Sequence, residues 1–371
     1  MSEVKARVLK ALSQVIDPEL RRPIIELGMV GDVLESADVI EVAIKLTVSH
    51  CPAANEIEDK VSIALKEGFG SGFKVNMQVM SPEELNDLKA MLRGSLEPKT
   101  NPFTEGTSTR VFLFGSGKGG VGKSTITANV AVHLAKLGHS VGLIDADIFG
   151  FSIPDQLGLT AKPTRLDDMI LPPVIHGVKV ISIGMFLPGN EPVAWRGPML
   201  HKAIEQFLTD VYWGQLDFLL IDMPPGTGDV AISVGQLLPT AKSIVITTPQ
   251  LSAAVVAERS GTAGLKTGQD IFGVVENSSY LLQADGSKLA LYGSGGGETV
   301  SQSLSERTGK SVPLLVQIPI SAELTKSSDA GLPLVLSNLE DAAAIALIQL
   351  ASKISEDKLP QSSRTLNVKV G

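Results

Sequence analysis

Cysteine is almost missing from this chain. Only Cys51 carries a thiol among 371 residues, which excludes an intrachain disulfide framework and suits a reducing compartment. No apolar run is long enough to span a bilayer. The opening MSEVKARVLK also lacks the apolar stretch of a secretory signal. A cytoplasmic location with no membrane partner is therefore expected. Positive charge is in deficit as well, and a net charge of −8 argues against a general nucleic-acid binder. With 43% hydrophobic and only 19% charged residues, the chain can bury a large core, and wholesale disorder is excluded. Its length suggests about two domains.

What is present begins with a small α+β pattern. Val4, Val8, Leu9, Leu12, Val15 and Ile16 share one helical face, which Asp17-Pro18-Glu19 ends. Ile40, Val42, Ile44, Leu46 and Val48 alternate with Glu41, Ala43, Lys45 and Thr47 as a half-buried strand does. After His50-Cys51-Pro52 comes a helix with Ile57, Val61, Ala64 and Leu65 inward, then alternation at Val75, Met77 and Val79, then a charged helix from Pro82 to Arg93. The expected organisation is an α+β domain at 1–93, a Pro/Ser/Thr/Gly-rich linker at 94–109, a main domain at 110–358 and a polar tail at 359–371. Cys51 sits before a helix start, which favours a reactive thiolate, but free cysteine is also among the most buried residue types. His50 beside it is a weak second ligand, because adjacent strand residues face opposite ways.

Gly117-Lys118-Gly119-Gly120-Val121-Gly122-Lys123-Ser124 fits the phosphate-loop pattern G-x-x-x-x-G-K-[ST]. The apolar run Val111–Phe114 precedes it, and Ile126, Val130, Leu134 and Leu137 follow at helical spacing. Strand, glycine loop and helix suit phosphate, because curled backbone N–H groups and the helix N-terminus both favour anions. Lys123 is expected to reach the β- and γ-phosphates and Ser124 to ligate Mg²⁺. Further apolar runs end at Asp145-Ala146-Asp147, Asp222, Thr247 and Glu276-Asn277, and others cover 178–183 and 314–318. Helical patterns separate most of them, so the main domain is expected to be α/β, with a doubly wound, mostly parallel sheet. Ligands gather at the carboxyl ends of such strands. Asp222 is the candidate for Mg²⁺, Asp147 for orienting the attacking water, and Asp145 for the strand end or the metal shell. Turn formation or helix capping is the alternative for each aspartate. Gly293 to Gly297 lacks the Lys-Ser/Thr ending of a second phosphate loop and reads as a flexible turn, while Asp341 to Ile354 reads as a core helix.

Taken together, GSGKGGVGKST (115–125), LIDADIFG (143–150), WRGPM (195–199), DFLLIDMPPGTGD (217–229), TTPQ (247–250), GVVEN (273–277) and GSGGGE (293–298) resemble the Mrp/ApbC-type P-loop NTPases, relatives of MinD and of the nitrogenase iron protein. VIDPEL (15–20), ELGMV (26–30) and HCP (50–52) look like the PaaD/MIP-like domain often fused ahead of them. The resemblance implies an ATP-hydrolysing iron–sulfur cluster carrier or assembly factor, with apoprotein clients or assembly factors as partners. It implies a homodimer in which Lys118 reaches the partner's phosphates, nucleotide contacts from the loop through Thr125, and adenine contacts from Asn277 and the Pro319 region. ATP over GTP also rests on it, and the guanine-selecting Asn-Lys-x-Asp pattern is absent. One part of the family pattern is missing. A Cys-x-x-Cys pair usually follows the Glu-Asn, and two pairs across a dimer would hold one [4Fe–4S] cluster. Residues 278–287 contain no cysteine, leaving Cys51 as a speculative ligand and a cluster-free, nucleotide-dependent adaptor as the alternative. Phe151 stands where proline is usual.

Overall fold

The computed structural model describes residues 3–36, 39–48, 51, 53–93, 100–104, 106–148, 150–187 and 197–357. His50, Trp195 and Arg196 of WRGPM, residues 94–99 of the expected linker and the polar tail lie outside the described residues. Two compact units emerge, each built on its own sheet.

The first unit holds a three-stranded sheet. Val30–Glu35 pairs antiparallel with Ile40–Leu46, which pairs parallel with Phe73–Val79. Helix Ala54–Phe69 buries Ile57, Val61 and Leu65, four residues apart and hence on one stripe. Each such side chain, moved from water into the core, contributes about 1.5–3 kcal/mol. Helix Glu3–Leu12 adds Val8 and Leu12. It stops short of the expected face, so Val15 is buried outside it while Ile16 is 47% exposed. The unit also takes in 161–174 and 210–214, which the expected boundary gave to the main domain. The reason is apolar: a hairpin pairing Thr164–Leu166 with Met169–Leu171 buries Leu166, Met169 and Leu171 in the same core as Val8 and Ile57. Lys89 and Asp167 form an ion pair that fastens it.

The second unit is an eight-stranded sheet. Its order is Leu314–Gln317, Asp270–Glu276, Lys242–Thr247, Arg110–Ser116, Phe218–Asp222, Val141–Asp145, Val178–Ser182 and the short edge strand Val174–Ile175. The first seven are parallel throughout. Strands buried on both faces read as continuous apolar runs, and Phe218 to Ile221 are each fully buried. Helix Lys123–Lys136 is covered almost all round. Leu137, expected on its apolar stripe, lies just past its end and is 49% exposed. Helix Ala342–Ser355 is the core helix expected at the C-terminal end, capped by the Asp341 carboxylate, which accepts from the Ala343 N–H.

Two loop expectations are corrected or filled in. Gly293-Ser294-Gly295-Gly296-Gly297 leads into helix Gly296–Thr308, and the Gly297 N–H donates to buried Glu276 at 2.6 Å, so the end of this segment is a packed helix start rather than a flexible turn. Phe151, the departure from the family proline, lies over Gly184, where a Cβ would strike the Phe151 ring. Among the described residues, no helix is long and apolar enough to cross a membrane.

Candidate functional site

The carboxyl ends of three neighbouring strands, Arg110–Ser116, Phe218–Asp222 and Val141–Asp145, converge on the glycine loop. Two contacts fix that loop. Gly117 packs so tightly on helix Leu251–Lys266 that a Cβ would sit 2.5 Å from the Val256 carbonyl oxygen. At the other end Gly122 has φ +84, a left-handed conformation open to glycine, and precedes helix Lys123–Lys136. Asn277, 8% exposed, straps this end by donating its amide N–H to the Val121 carbonyl at 2.8 Å.

Inside the loop, the predicted phosphate and magnesium residues meet. Lys123 Nζ lies 2.6 Å from Asp222 Oδ2 and 3.7 Å from Asp147 Oδ2. The Ser124 hydroxyl donates to the same Asp222 oxygen at 2.6 Å. Asp222 is fully buried, and Lys123 is 6% exposed. Thr127, one turn along the helix, was not singled out from the sequence. Its buried hydroxyl lies 3.0 Å from Asp222 Oδ1 and 2.8 Å from the Lys123 carbonyl. Spacing would have found it, since residues four apart share a helix face.

Asp145 is fully buried and serves as a hub for the following turn. Its carboxylate accepts from the backbone N–H groups of Asp147, Ser152 and Ile153 and from the Ser182 hydroxyl. Burial first, and then the Asp222 charge, push its pKa up to about 7. Burial also lifts Asp147 above the usual carboxylate range, with Lys123 pulling the other way. The sign for stability follows: a folded value above the unfolded one gives a contribution that is complete below about pH 4 and is lost as pH rises through about 7. Between pH 6 and pH 8 the ligand-free protein should lose about 1 kcal/mol from this group. Thermal unfolding at the two pH values checks it. Asp145→Asn should flatten that slope, and an unchanged slope would assign the loss to other groups.

The loop lines a cavity of about 640 Å³, shared with Asp147, Gly150, Gly197 and Leu200. Exposed Lys118 contributes to its wall, and Gly119, Gly120 and Thr125 line it too. A second cavity, of about 560 Å³, is lined by Asn277, Ser278, Pro319, Ile320 and Leu324. Gly122, Thr125, Ser152 and Gln156 line both. Each volume is of the size that holds a small ligand. Ser124 and Asp222 offer hard oxygen donors at one point, which fits Mg²⁺; that ion is commonly held by one or two protein oxygens together with phosphate.

Cys51 belongs to the first unit and is half-buried. Its pKa is pushed up to about 12, by burial foremost and then by the Glu19 charge. The Ala53 and Ala54 N–H groups pull it down, as a helix start should, but burial dominates. At neutral pH the group is a thiol. Among the described residues no three His, Cys, Asp or Glu side chains are grouped to hold a metal ion. The stretch where the family pattern places a Cys-x-x-Cys pair forms a small hairpin, with Leu281–Leu282 paired to Lys288–Leu289.

Residues 107–355 match the family described as NUBPL iron-transfer P-loop NTPase, and residues 5–79 match one described as iron–sulfur cluster assembly protein. The chain is 50% identical to an iron–sulfur cluster carrier protein of Mycobacterium leprae, over 95% of this chain and 93% of that one. It is 40% identical to another so named in Deinococcus radiodurans, over 94% of each. Among solved structures it resembles a nucleotide-binding protein from Archaeoglobus fulgidus in complex with ADP. The identity is 36% and the TM-score 0.53, covering 63% of this chain and 90% of that one.

Proposed function

This chain belongs to the NUBPL iron-transfer P-loop NTPase family, and on that premise we propose that it is an ATP-hydrolysing carrier that binds iron–sulfur clusters as cargo and hands them to apoproteins. The observation that carries the reading is the convergence of Lys123, Ser124 and Asp222 at one end of a parallel sheet, beside a cavity of nucleotide size. In this reading Lys123 exchanges Asp222 for the β- and γ-phosphates. Ser124 and Asp222 hold Mg²⁺, which supplies positive charge against phosphate oxygens when bound. Asp147, with its affinity for a proton raised by burial, orients the attacking water. Exposed Lys118 reaches the phosphates of a second copy, which makes the working form a homodimer.

The cargo cannot be held as a Cys-x-x-Cys pair would hold it. Two copies supply two thiolates, whereas a [4Fe–4S] cluster takes four. Binding at Cys51 must also displace its proton. The remaining ligands would come from a client or from small thiols. This shortage favours a second reading, in which the protein is a nucleotide-dependent adaptor that carries no cluster.

Anaerobic iron and sulfide reconstitution of the parent and of Cys51→Ala, with iron and labile sulfide counted per dimer and ATP turnover measured alongside, tests both. The carrier reading expects a cluster on the parent, formed only when a small thiol is supplied, and none on the variant. Intact ATP turnover with no cluster on either protein would overturn the carrier reading in favour of the adaptor.

A further inference from the structure

Gln156 lies on helix Ile153–Leu157, just past the turn that Asp145 fastens. Its amide Nε2 donates to the Ser152 hydroxyl at 2.9 Å. Its Oε1 is buried and has no hydrogen-bond partner among the described residues. Leaving a buried carbonyl oxygen unpaired is costly, so such an atom in a native fold calls for an explanation. The position of Gln156 supplies one. It lines both the cavity of the phosphate loop and the cavity walled by Asn277 and Pro319.

A nucleotide laid with its phosphates in the loop and its base in the second cavity must pass its sugar between Gly122, Thr125, Ser152 and Gln156, the residues common to both. The sugar brings two hydroxyl groups to that seam. A hydroxyl is a donor and Oε1 is an acceptor, so the two complete one another.

We propose that Gln156 is a sugar-reading residue, binding a ribose hydroxyl and thereby selecting ribonucleotides over deoxyribonucleotides. The inference rests on the nucleotide-binding reading above. Its selectivity follows from a general asymmetry: a site built to hydrogen-bond a hydroxyl rejects the analogue that lacks it, because the buried polar partner is then left unpaired.

Equilibrium binding of ATP, 2′-deoxyATP and 3′-deoxyATP with Mg²⁺ tests it, on the full chain and on Gln156→Met and Gln156→Glu. The parent is expected to bind one of the two deoxy analogues about 10-fold more weakly than ATP, and which one identifies the hydroxyl. Gln156→Met, similar in shape but without a polar end, should bind ATP and both analogues alike. Gln156→Glu keeps an acceptor and should keep the discrimination, which separates sugar reading from a packing role. Equal binding of all three nucleotides by the parent overturns the proposal, and so does discrimination that survives unchanged in Gln156→Met. A parent that binds none of the three overturns the nucleotide reading itself, a distinct outcome.

Discussion

Replacing Lys123 with alanine is expected to lower ATP turnover by about a thousandfold, the scale on which single cations act at phosphoryl-transfer sites. The structure adds an effect on the ligand-free protein. Lys123 is the cation 2.6 Å from Asp222 and 3.7 Å from Asp147, with Asp145 bearing on the same group. Removing it leaves a nearly dry set of carboxylates without that compensating charge, which costs about 3–5 kcal/mol in comparable buried pairs. The carboxylates answer by holding protons more tightly, so the destabilisation should be smaller at pH 6 than at pH 8. Turnover assays together with thermal unfolding at both pH values check this. Lys123→Arg retains a charge and should preserve much of the stability while still losing turnover, because a planar guanidinium does not replace a compact ammonium. Full turnover in Lys123→Ala would remove Lys123 from the chemistry.

Gly117→Ala is expected to be the most damaging single-methyl change in the loop. The added carbon would meet the Val256–Ala257 peptide, which is helix backbone and cannot rotate away as a side chain tip would. The loop must move instead, at a cost of about 1–3 kcal/mol. Its amides would then no longer point where phosphate oxygens lie, so nucleotide affinity should fall about tenfold or more. Gly119→Ala is the internal control. Among the described residues nothing lies within 4 Å of a Cβ at that position, so its stability should stay within about 0.5 kcal/mol of the parent. Denaturant unfolding and ATP titration of the two variants give the comparison. Equal behaviour would show that contact with helix Leu251–Lys266 does not position the loop.

The parallel sheet was legible for a physical reason. Strands such as Phe218–Asp222 are covered on both faces, so every residue before the terminal carboxylate is apolar, and the polar residue marks the end where ligands collect. Lys123, Ser124 and Asp222 could be paired across about a hundred residues because a loop pattern and a strand end each fix a position. Strand Val30–Glu35 was harder to read, since none of its residues is fully buried and its apolar alternation is correspondingly weak. Gln156 carried no signal at all. A glutamine on a five-residue helix looks like surface until two cavities are seen to share it. Asn277 was expected against adenine by family likeness; it does line the second cavity, but its visible work is strapping Val121. Cys51 stood between two readings in the sequence, a reactive thiolate at a helix start and a buried thiol, with the second preferred, and the half-burial that raises its pKa sides with the second.

The hairpin at 164–171 bears on how far the two halves of this molecule are modular. Main-domain sequence supplies Leu166, Met169 and Leu171 to the core of the first unit, and residues 210–214 return to that unit a second time. A scissor placed anywhere in 94–109 therefore yields one fragment with holes in its interior and another with three greasy side chains facing water. Swapping the N-terminal portion between relatives meets the same difficulty, since a graft has to bring along the matching hairpin from far downstream. Recombination that respects the gene's order would not respect the fold's seams.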